Sequence, residues 1–282
     1  MIPPQIFVRQ AKQTDYHSIA NLIYFEPTVH RHLDWRGPLE WLGSPEYWVL
    51  IQSGTVLATL ACPPDPEGVA WIRLFAHSKS ISTQDAWNTL WEPAKEALQS
   101  QKLIAAAISV VNWLDPYLYQ AGFVVNQKIV VLEHDMTVTP QILPSPKVIL
   151  RTMNESDLPT VEEVDKSGFV PLWRNSRPAL ISGFTQPGYS TVALLDGEIV
   201  GYQISTRSTF GIHLARLAVL PRVQGLGIGY LLVQDLILYC KRLGMRRLTV
   251  NTQNDNFASL SLYKKIGFEL TTEAYTVFSQ QF

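Results

Sequence analysis

The second half of the chain alternates short β-rich runs with longer runs whose apolar residues have helical spacing. Asp196-Gly197 between two β-rich runs predicts a tight hairpin, and Gly244 shortly after Lys241 and Arg242 predicts a helix end. The predicted strands are 148–152, 190–195, 198–206, 211–220, 246–251 and 268–279, and the predicted helices are 157–166, 227–243 and 256–266. With an irregular segment between the first helix and the second strand, this order predicts an α/β fold, a mixed sheet flanked by helices.

The first half repeats this order at an offset of about 142 residues. The corresponding positions are Arg9 and Arg151, Gly54 and Gly197, Arg73-Leu74 and Arg216-Leu217, and Gly122-Phe123 and Gly267-Phe268. We therefore predict two tandem modules, residues 1–138 and 148–282, each with a twisted, mostly antiparallel mixed sheet. The proline-bearing segment 139–147 is the predicted linker.

Composition narrows the function classes. The chain has 282 residues, of which 17% are charged, and a net charge of -1, whereas bulk electrostatic binding of nucleic acid needs a large basic surplus. Cys62 and Cys240 are too few for a disulfide framework and lack metal-site spacing. The N-terminus shows no signal-peptide pattern, and the apolar run from Leu103 to Leu114 is too short for a bilayer. We expect a cytoplasmic monomer or homodimer without metal, membrane or nucleic-acid partner.

A glycine-rich turn is the most informative stretch of the sequence. Gln224, Gly225, Leu226, Gly227, Ile228 and Gly229 follow a predicted strand and open a predicted helix. Glycines let a ligand approach the backbone, and the first amides of a helix attract anions. Tyr230 and Leu231 stand where a P-loop needs Lys and Ser or Thr, and the glycine spacing does not fit a Rossmann turn. A pyrophosphate site and an empty tight turn both remain open on this motif alone.

A second motif lies downstream. The Q-x-x-G-x-G turn is followed by Asn256, Ala258, Leu262, Tyr263, Gly267 and Phe268. Together they resemble the two signatures of the GNAT N-acetyltransferase superfamily, although the first spacer of the second signature is one residue shorter here. The resemblance covers about 130 residues of the second half.

The resemblance implies a binding site for acetyl-CoA, with CoA as product. The residues that it assigns to the cofactor are Leu217, Ala218, Val219, Arg222, Gln224, Gly225, Leu226, Gly227, Ile228, Gly229, Asn254, Asn256 and Tyr263. The strands at 211–220 and 246–251 would separate to admit the pantetheine arm, and the Leu217 amide would polarise the thioester carbonyl. The alternative for Asn256 is a structural role as the N-cap of its helix.

The resemblance also implies the catalytic roles. Tyr263 corresponds to the tyrosine that protonates the leaving thiolate, with a buried structural aromatic as the alternative. A primary amine of a small molecule or peptide would attack directly, and we select His213 as its base, where the family often has Glu and a structural histidine is the alternative. Weaker base candidates are Glu162, Glu163 and Asp165, while Trp173, Arg174 and Arg177 lie where the acceptor pocket is usually formed.

The first half lacks this chemistry. Residues 79–85 contain no glycine where the turn should lie, Leu118 stands opposite Tyr263, and Pro116 predicts a short or kinked helix. We predict that residues 1–138 are a degenerate copy that supports the acceptor site or acts as a fixed pseudo-dimer partner. The alternative function for the whole chain is a non-catalytic acyl-CoA-binding sensor or assembly protein.

Overall fold

A computed structural model describes residues 6–141, 147–209 and 211–282. The strands are β1 Ile6–Gln10, β2 Thr28–Arg31, β3 Tyr47–Gln52, β4 Thr55–Ala61, β5 Val69–Trp71, β6 Leu74–His77, β7 Ile104–Ser109, β8 Val124–His134, β9 Val148–Thr152, β10 Gly188–Leu195, β11 Glu198–Ser208, β12 Gly211–Val219, β13 Leu248–Gln253 and β14 Phe268–Gln280. The helices are α1 Tyr16–Phe25, α2 Thr83–Ser100, α3 Asp115–Gln120, α4 Leu158–Gly168, α5 Arg177–Thr185, α6 Ile228–Arg242 and α7 Phe257–Ile266. The predicted α/β class is confirmed, and every predicted element of the second half is found within two residues at each end.

The chain forms two compact units. The first comprises residues 1–126 and 275–282, and the second comprises 127–274. The sequence repeat places the boundary at 139–147 instead, of which residues 142–146 lie outside the described chain. The difference arises because most of β8 belongs to the second unit, while the end of β14 belongs to the first.

The first unit contains a five-stranded sheet in the order β1-β3-β4-β6-β2. The end of β14 pairs with β7, which in turn pairs with β5. One apolar cluster packs α2 against the sheet through Trp87, Leu90, Trp91 and Phe75. A second cluster packs α1 on other strand residues, including Leu74 and Ala76. Each face of the sheet therefore has its own helix.

The second unit contains the strands β8-β13-β12-β11-β10-β9, paired in that order. All of these pairs are antiparallel except β12–β13, which is parallel. Helices α6 and α7 pack on one face around Leu214, Leu236, Val250 and Phe268. None of the described helices has both the length and the apolar character needed to cross a bilayer.

The two units share local details that the sequence repeat predicts. Arg9 makes a two-bond contact with Asp15 at 2.7 and 2.8 Å, and Arg151 does the same with Asp157 at 2.6 and 2.8 Å. The hairpins between β3 and β4 and between β10 and β11 both have two left-handed turn residues and a register shift at the matching position. The predicted tandem arrangement is therefore visible in the fold itself.

Helix α5 was missed by the sequence analysis, which expected an irregular segment there. Its signal was present: the Ser176 hydroxyl accepts from the amide of Ala179, and Pro178 lies in the first turn. A serine N-cap followed by proline is a common helix start. The helix has only nine residues, so its apolar periodicity is too short to be read reliably.

Candidate functional site

Strands β12 and β13 pair over only three positions and then separate. Ile212, His213 and Leu214 face Leu248, Thr249 and Val250 across the parallel ladder. Beyond this point β13 continues along β8 to Gln253, while β12 continues along β11 to Val219. Ala215 is the extra residue of a bulge at the point of separation. We call the space between residues 217–219 and 251–253 the β12–β13 gap; no strand in the described chain pairs with β12 there.

The backbone of β12 directs amides into this gap. Leu220 donates its amide to the carbonyl of Val200 on the β11 side at 2.8 Å. Because amide directions alternate along an antiparallel strand, the amides of Leu217 and Val219 point away from β11. The Val219 carbonyl, on the same side, accepts from the side chain of Gln224 at 3.0 Å. The edge at Leu217 can therefore donate a hydrogen bond to a ligand carbonyl.

The glycine turn brings a free helix N-terminus to the end of the gap. Gly225 and Gly227 have φ angles of +80° and +83°, which other residues rarely adopt. Gly227 is the N-cap of α6 and has no side chain to accept from the first helical amides. A Cβ at either glycine would meet no atom within 4 Å, so this side of the turn is open. The turn therefore offers backbone donors and the positive end of a helix dipole to an anion.

Tyr263 lies on α7, in the same apolar cluster as Leu214 and Val250, with Leu217 packed against that cluster. Its side chain is 4% exposed, and its ring centroid is 5.5 Å from that of Phe268. Among the described residues, none accepts a hydrogen bond from the hydroxyl. Burial raises the pKa of the Tyr263 phenol, so this side chain stays protonated at neutral and moderately alkaline pH and can donate a proton.

His213 lies in the paired part of β12, just before the strands separate. Its Nδ1 atom is 2.9 Å from the hydroxyl of Thr249. Ile212 and Leu214 face α6, and because side chains alternate along a strand, the imidazole of His213 faces the opposite side of the sheet. Burial lowers the pKa of His213 below 6.5, so the ring is neutral at pH 7 and can accept a proton.

A buried ion pair ties α4 to β12 beside the gap. Arg216 donates two hydrogen bonds to Asp165, whose side chain is fully buried. Asp165 also accepts from the hydroxyl of Tyr202 and from the amide of Asn175. The Arg216 guanidinium lies 3.5 Å from the ring centroid of Phe169. Since every oxygen of Asp165 has a partner, this carboxylate holds structure together, and it is a poor candidate for a base.

Five other predicted site residues have hydrogen-bond or ion-pair partners within the protein. Arg222 pairs with Glu198 at the surface at 2.7 Å. The Asn254 side-chain oxygen accepts from the amide of Lys128, and the Asn256 oxygen caps α7 through the amide of Ser259. Two other candidates pair with cations: Glu162 binds Arg177 and Lys166, and Glu163 lies 3.9 Å from Lys166. The Cβ of Ala218 faces Gly168 of α4.

In the first unit, a strand of the chain itself occupies the edge that is free in the second. Strand β2 pairs antiparallel with β6, which places His30 opposite Phe75. When the equivalent hairpins are aligned, β4 pairs with β6 in a register that makes Phe75 the counterpart of Leu217. The sequence analysis aligned Leu74 with Leu217. The strand register shows that this alignment is wrong by one residue, because the counterpart of Leu217 is Phe75. The backbone edge that could bind an extended ligand in the second unit is therefore filled in the first.

The start of α2 also differs from the glycine turn. The Ser82 hydroxyl accepts from the amide of Asp85, and the Asp85 carboxylate lies in the first helical turn. These groups satisfy and neutralise the helix N-terminus without a ligand. Helix α3 has six residues and Leu118 is buried in it, which confirms the predicted short helix. In the described residues of the first unit, the strand edge is therefore paired, the start of α2 is capped, and Leu118 stands where the second unit has Tyr263.

The comparisons with known proteins agree with this picture. The acetyltransferase (GNAT) family model matches residues 152–268. An uncharacterized N-acetyltransferase of Methanocaldococcus jannaschii is 35% identical over 33% of this chain and 58% of its own length. The [ribosomal protein bS18]-alanine N-acetyltransferase of Haemophilus influenzae is 35% identical over 28% of this chain and 55% of its own length. The chain thus spans little more than half the length of these curated relatives.

Among the similar solved structures, a tandem protein covers both units. A tandem GNAT protein from the clavulanic acid biosynthesis pathway, described without AcCoA, matches 98% of each chain with a TM-score of 0.66 and 15% identity. At this identity the likeness shows the fold, including the tandem arrangement.

Proposed function

We propose that the chain is an acetyl-CoA-dependent N-acetyltransferase of the acetyltransferase (GNAT) family, whose model matches residues 152–268, and that its second unit carries out the reaction. The observation that carries this proposal is the β12–β13 gap, which opens beside an uncapped helix N-terminus. An extended pantetheine arm can pair with the free edge of β12, while a pyrophosphate can accept from the amides of the glycine turn. The residues present therefore fit acetyl-CoA.

When bound, acetyl-CoA supplies an acetyl thioester activated for transfer to an amine. The Leu217 amide, directed into the gap, donates a hydrogen bond to the thioester carbonyl and stabilises the negative charge that develops there. His213 accepts a proton from the attacking amine, directly or through water. Tyr263 donates its phenolic proton to the departing sulfur. The proton stays on the product, because the thiol of the released CoA is protonated at neutral pH.

The acceptor is a primary amine of a small molecule or of a peptide. One relative is named for the alanine of a ribosomal protein, which supports a peptide amine, and the amine attacks without a covalent enzyme intermediate. The first unit neither binds acetyl-CoA nor catalyses, because β2 and the capped α2 fill the equivalent positions. We therefore expect one CoA bound per chain.

The test of this function compares two glycines at opposite ends of α6. Gly227→Ala and Gly244→Ala each add a Cβ to a residue with a left-handed backbone, and neither Cβ would have another atom within 4 Å. Because the left-handed conformation is unfavourable for alanine, each substitution should destabilise the protein by about 1 kcal/mol. Calorimetry should show one CoA per wild-type chain. Only Gly227→Ala should weaken CoA binding, by about tenfold or more, since it alters the turn that holds the pyrophosphate.

The outcomes separate the candidate functions. Thiol release from acetyl-CoA with a primary amine is expected for wild type and for Gly244→Ala. If CoA binds but no amine of a broad panel causes thiol release, the alternative function, a non-catalytic acyl-CoA-binding sensor or assembly protein, would be favoured. Equal CoA affinity of both glycine variants would show that the turn does not hold the cofactor.

The pH profile tests His213. Because burial lowers its pKa, the imidazole stays deprotonated to a lower pH than a free histidine. If His213 is the base, kcat at saturating amine should fall only below pH 6.5 in wild type. His213→Gln keeps a side chain that can bond to Thr249 but cannot take the proton, so its kcat should be lower by about 10²-fold and lose this acid limb. An unchanged profile would leave His213 with a structural role.

A further inference from the structure

His213 has a threonine on each side of it in the sheet. Thr206 of β11 and Thr249 of β13 are its partners in the two ladders, so all three side chains lie on the same face of the sheet. The Nδ1 atom of His213 is 2.9 Å from the Thr249 hydroxyl. In the described chain, the Thr206 hydroxyl makes no hydrogen bond. The imidazole therefore bonds to β13, although both neighbouring strands present the same chemical group.

The ring also interacts with a residue that borders the gap. Asn251 follows Thr249 by two positions on β13, so its side chain points to the same face of the sheet. Burial is the main influence on the pKa of His213 and lowers it, whereas a side-chain hydrogen bond to Asn251 acts in the opposite direction and favours the protonated ring. Asn251 is the first residue on the β13 side of the β12–β13 gap. The imidazole is therefore held at the end of the gap, beside Thr249 and Asn251.

The charged side chain that acts on this ring is a cation with its own partner. Arg247 lowers the pKa of His213 and forms an ion pair with Glu133 of β8 at 3.0 Å. Glu133 is the ladder partner of Thr249, yet its carboxylate bonds to Arg247. Within the residues that the structure describes, no carboxylate forms an ion pair with His213. The orientation of the ring therefore depends on neutral hydrogen-bonding groups.

We propose that Thr249 positions His213 for catalysis: its hydroxyl oxygen accepts a hydrogen bond from Nδ1–H and so keeps the lone pair of the neutral ring on Nε2. This inference rests on the proposed acetyl transfer, with His213 as the base. A hydrogen bond at one ring nitrogen decides which nitrogen carries the proton. Nε2 then takes a proton from the attacking amine while the amine nitrogen forms its bond to the acetyl carbon, and the imidazolium passes that proton to water after the transfer.

Nuclear magnetic resonance tests the position of the proton without turnover. In protein with ¹⁵N-labelled histidine, the His213 signals among those of the six histidines are assigned by their absence in His213→Gln. At pH 7 the wild-type ring should carry its proton on Nδ1. Thr249→Val keeps the shape of the side chain but removes the acceptor, so the proton should move to Nε2, whereas Thr249→Ser should keep it on Nδ1. A wild-type ring protonated on Nε2, or a proton that stays on Nδ1 in Thr249→Val, would overturn the inference.

Kinetics test whether this position serves the reaction. Thr249→Val should lower kcat by about tenfold, a part of the effect expected for the base itself, and leave the KM for acetyl-CoA unchanged. Its acid limb should move to lower pH, because the imidazolium loses a hydrogen-bond acceptor. Thr249→Ser should restore both. Thr206→Val is the matched control, since Thr206 flanks His213 from β11 and is also partly buried; its tautomer, rate and pH profile should equal those of wild type.

A double-mutant cycle distinguishes positioning from a general structural effect. If Thr249 acts through His213, Thr249→Val should cause no further loss of kcat when it is added to His213→Gln. A further tenfold loss in the double variant would show that Thr249 acts by another route and would overturn the positioning role.

The outcomes also separate this inference from the proposed function. If wild type transfers acetyl groups but Thr249→Val is equally fast with an unchanged acid limb, the inference is wrong and the proposed function stands. If wild type releases no thiol from acetyl-CoA with any amine, the proposed function fails and the catalytic role of Thr249 fails with it. The ¹⁵N spectra then still show whether Thr249 determines the tautomer of His213.

Discussion

Tyr263→Phe should lower kcat for acetyl transfer by about 10²-fold, the usual contribution of a general acid, and leave the KM for acetyl-CoA nearly unchanged. The substitution removes one oxygen from a buried ring that packs against Phe268, so the apolar contacts remain. Since burial raises the pKa of this phenol, Tyr263 remains protonated through the moderately alkaline range. The wild-type rate should therefore show no alkaline limb from Tyr263 up to at least pH 10.

Tyr230→Phe provides the matched control. Tyr230 belongs to the same apolar cluster and is similarly buried, at 6% against 4% exposed. Its hydroxyl donates to the carbonyl of Gln141 at 3.0 Å, so this variant should lose about 1 kcal/mol of stability and keep its kcat. If Tyr263→Phe is as fast as wild type across the pH range, Tyr263 is not the acid and the alternative of a structural aromatic is correct.

The sequence was sufficient to predict the local structure of the second unit because its signals are local. Asp196-Gly197 adopts the left-handed turn that the pair favours, and the Lys241, Arg242 and Gly244 pattern ends α6 as expected. The separation of residues 211–220 from 246–251 could also be predicted, but only through the family resemblance. The residues that the resemblance assigns to cofactor and catalysis stay predictions until the variants above are measured.

The features that could not be predicted depend on pairing between distant segments. Strand β8 precedes the predicted linker, yet it pairs with β13 more than a hundred residues later. Strand β2 lies in a stretch without strong β signals and fills an edge in the first unit. The repeat shows that both halves share an order of elements, whereas strand partners follow from burial and hydrogen bonding over the whole chain. For this reason the pairing of β8 with β13 has no signal in the sequence.

A fragment that begins at residue 148, where the sequence repeat would place the second module, should neither fold cooperatively nor bind CoA. It lacks β8, which pairs with β13 at six positions from Leu248 to Gln253, whereas β12 pairs with β13 at only three. It also lacks Leu132 of the α6–α7 cluster and His134, whose ring lies 5.1 Å from that of Phe268. Without β8, the backbone edge of β13 and this apolar surface are exposed to water.

Circular dichroism during heating and calorimetry with CoA measure the loss. A fragment of residues 127–282 retains the part of β8 that pairs with β13 and should recover both the transition and the binding. Val130→Pro in the full chain makes the same test without truncation. Val130 faces Thr252 in the β8–β13 ladder, and because amide directions alternate from Lys128, which bonds to Asn254 on this side, its amide points at β13. Proline there removes a donor of this ladder. Val8→Pro on β1, an edge strand of the first unit, is the control and should leave CoA affinity unchanged. A fragment 148–282 that binds CoA as tightly as the full chain would show that the second module is complete without β8, and would restore the boundary that the sequence repeat indicates.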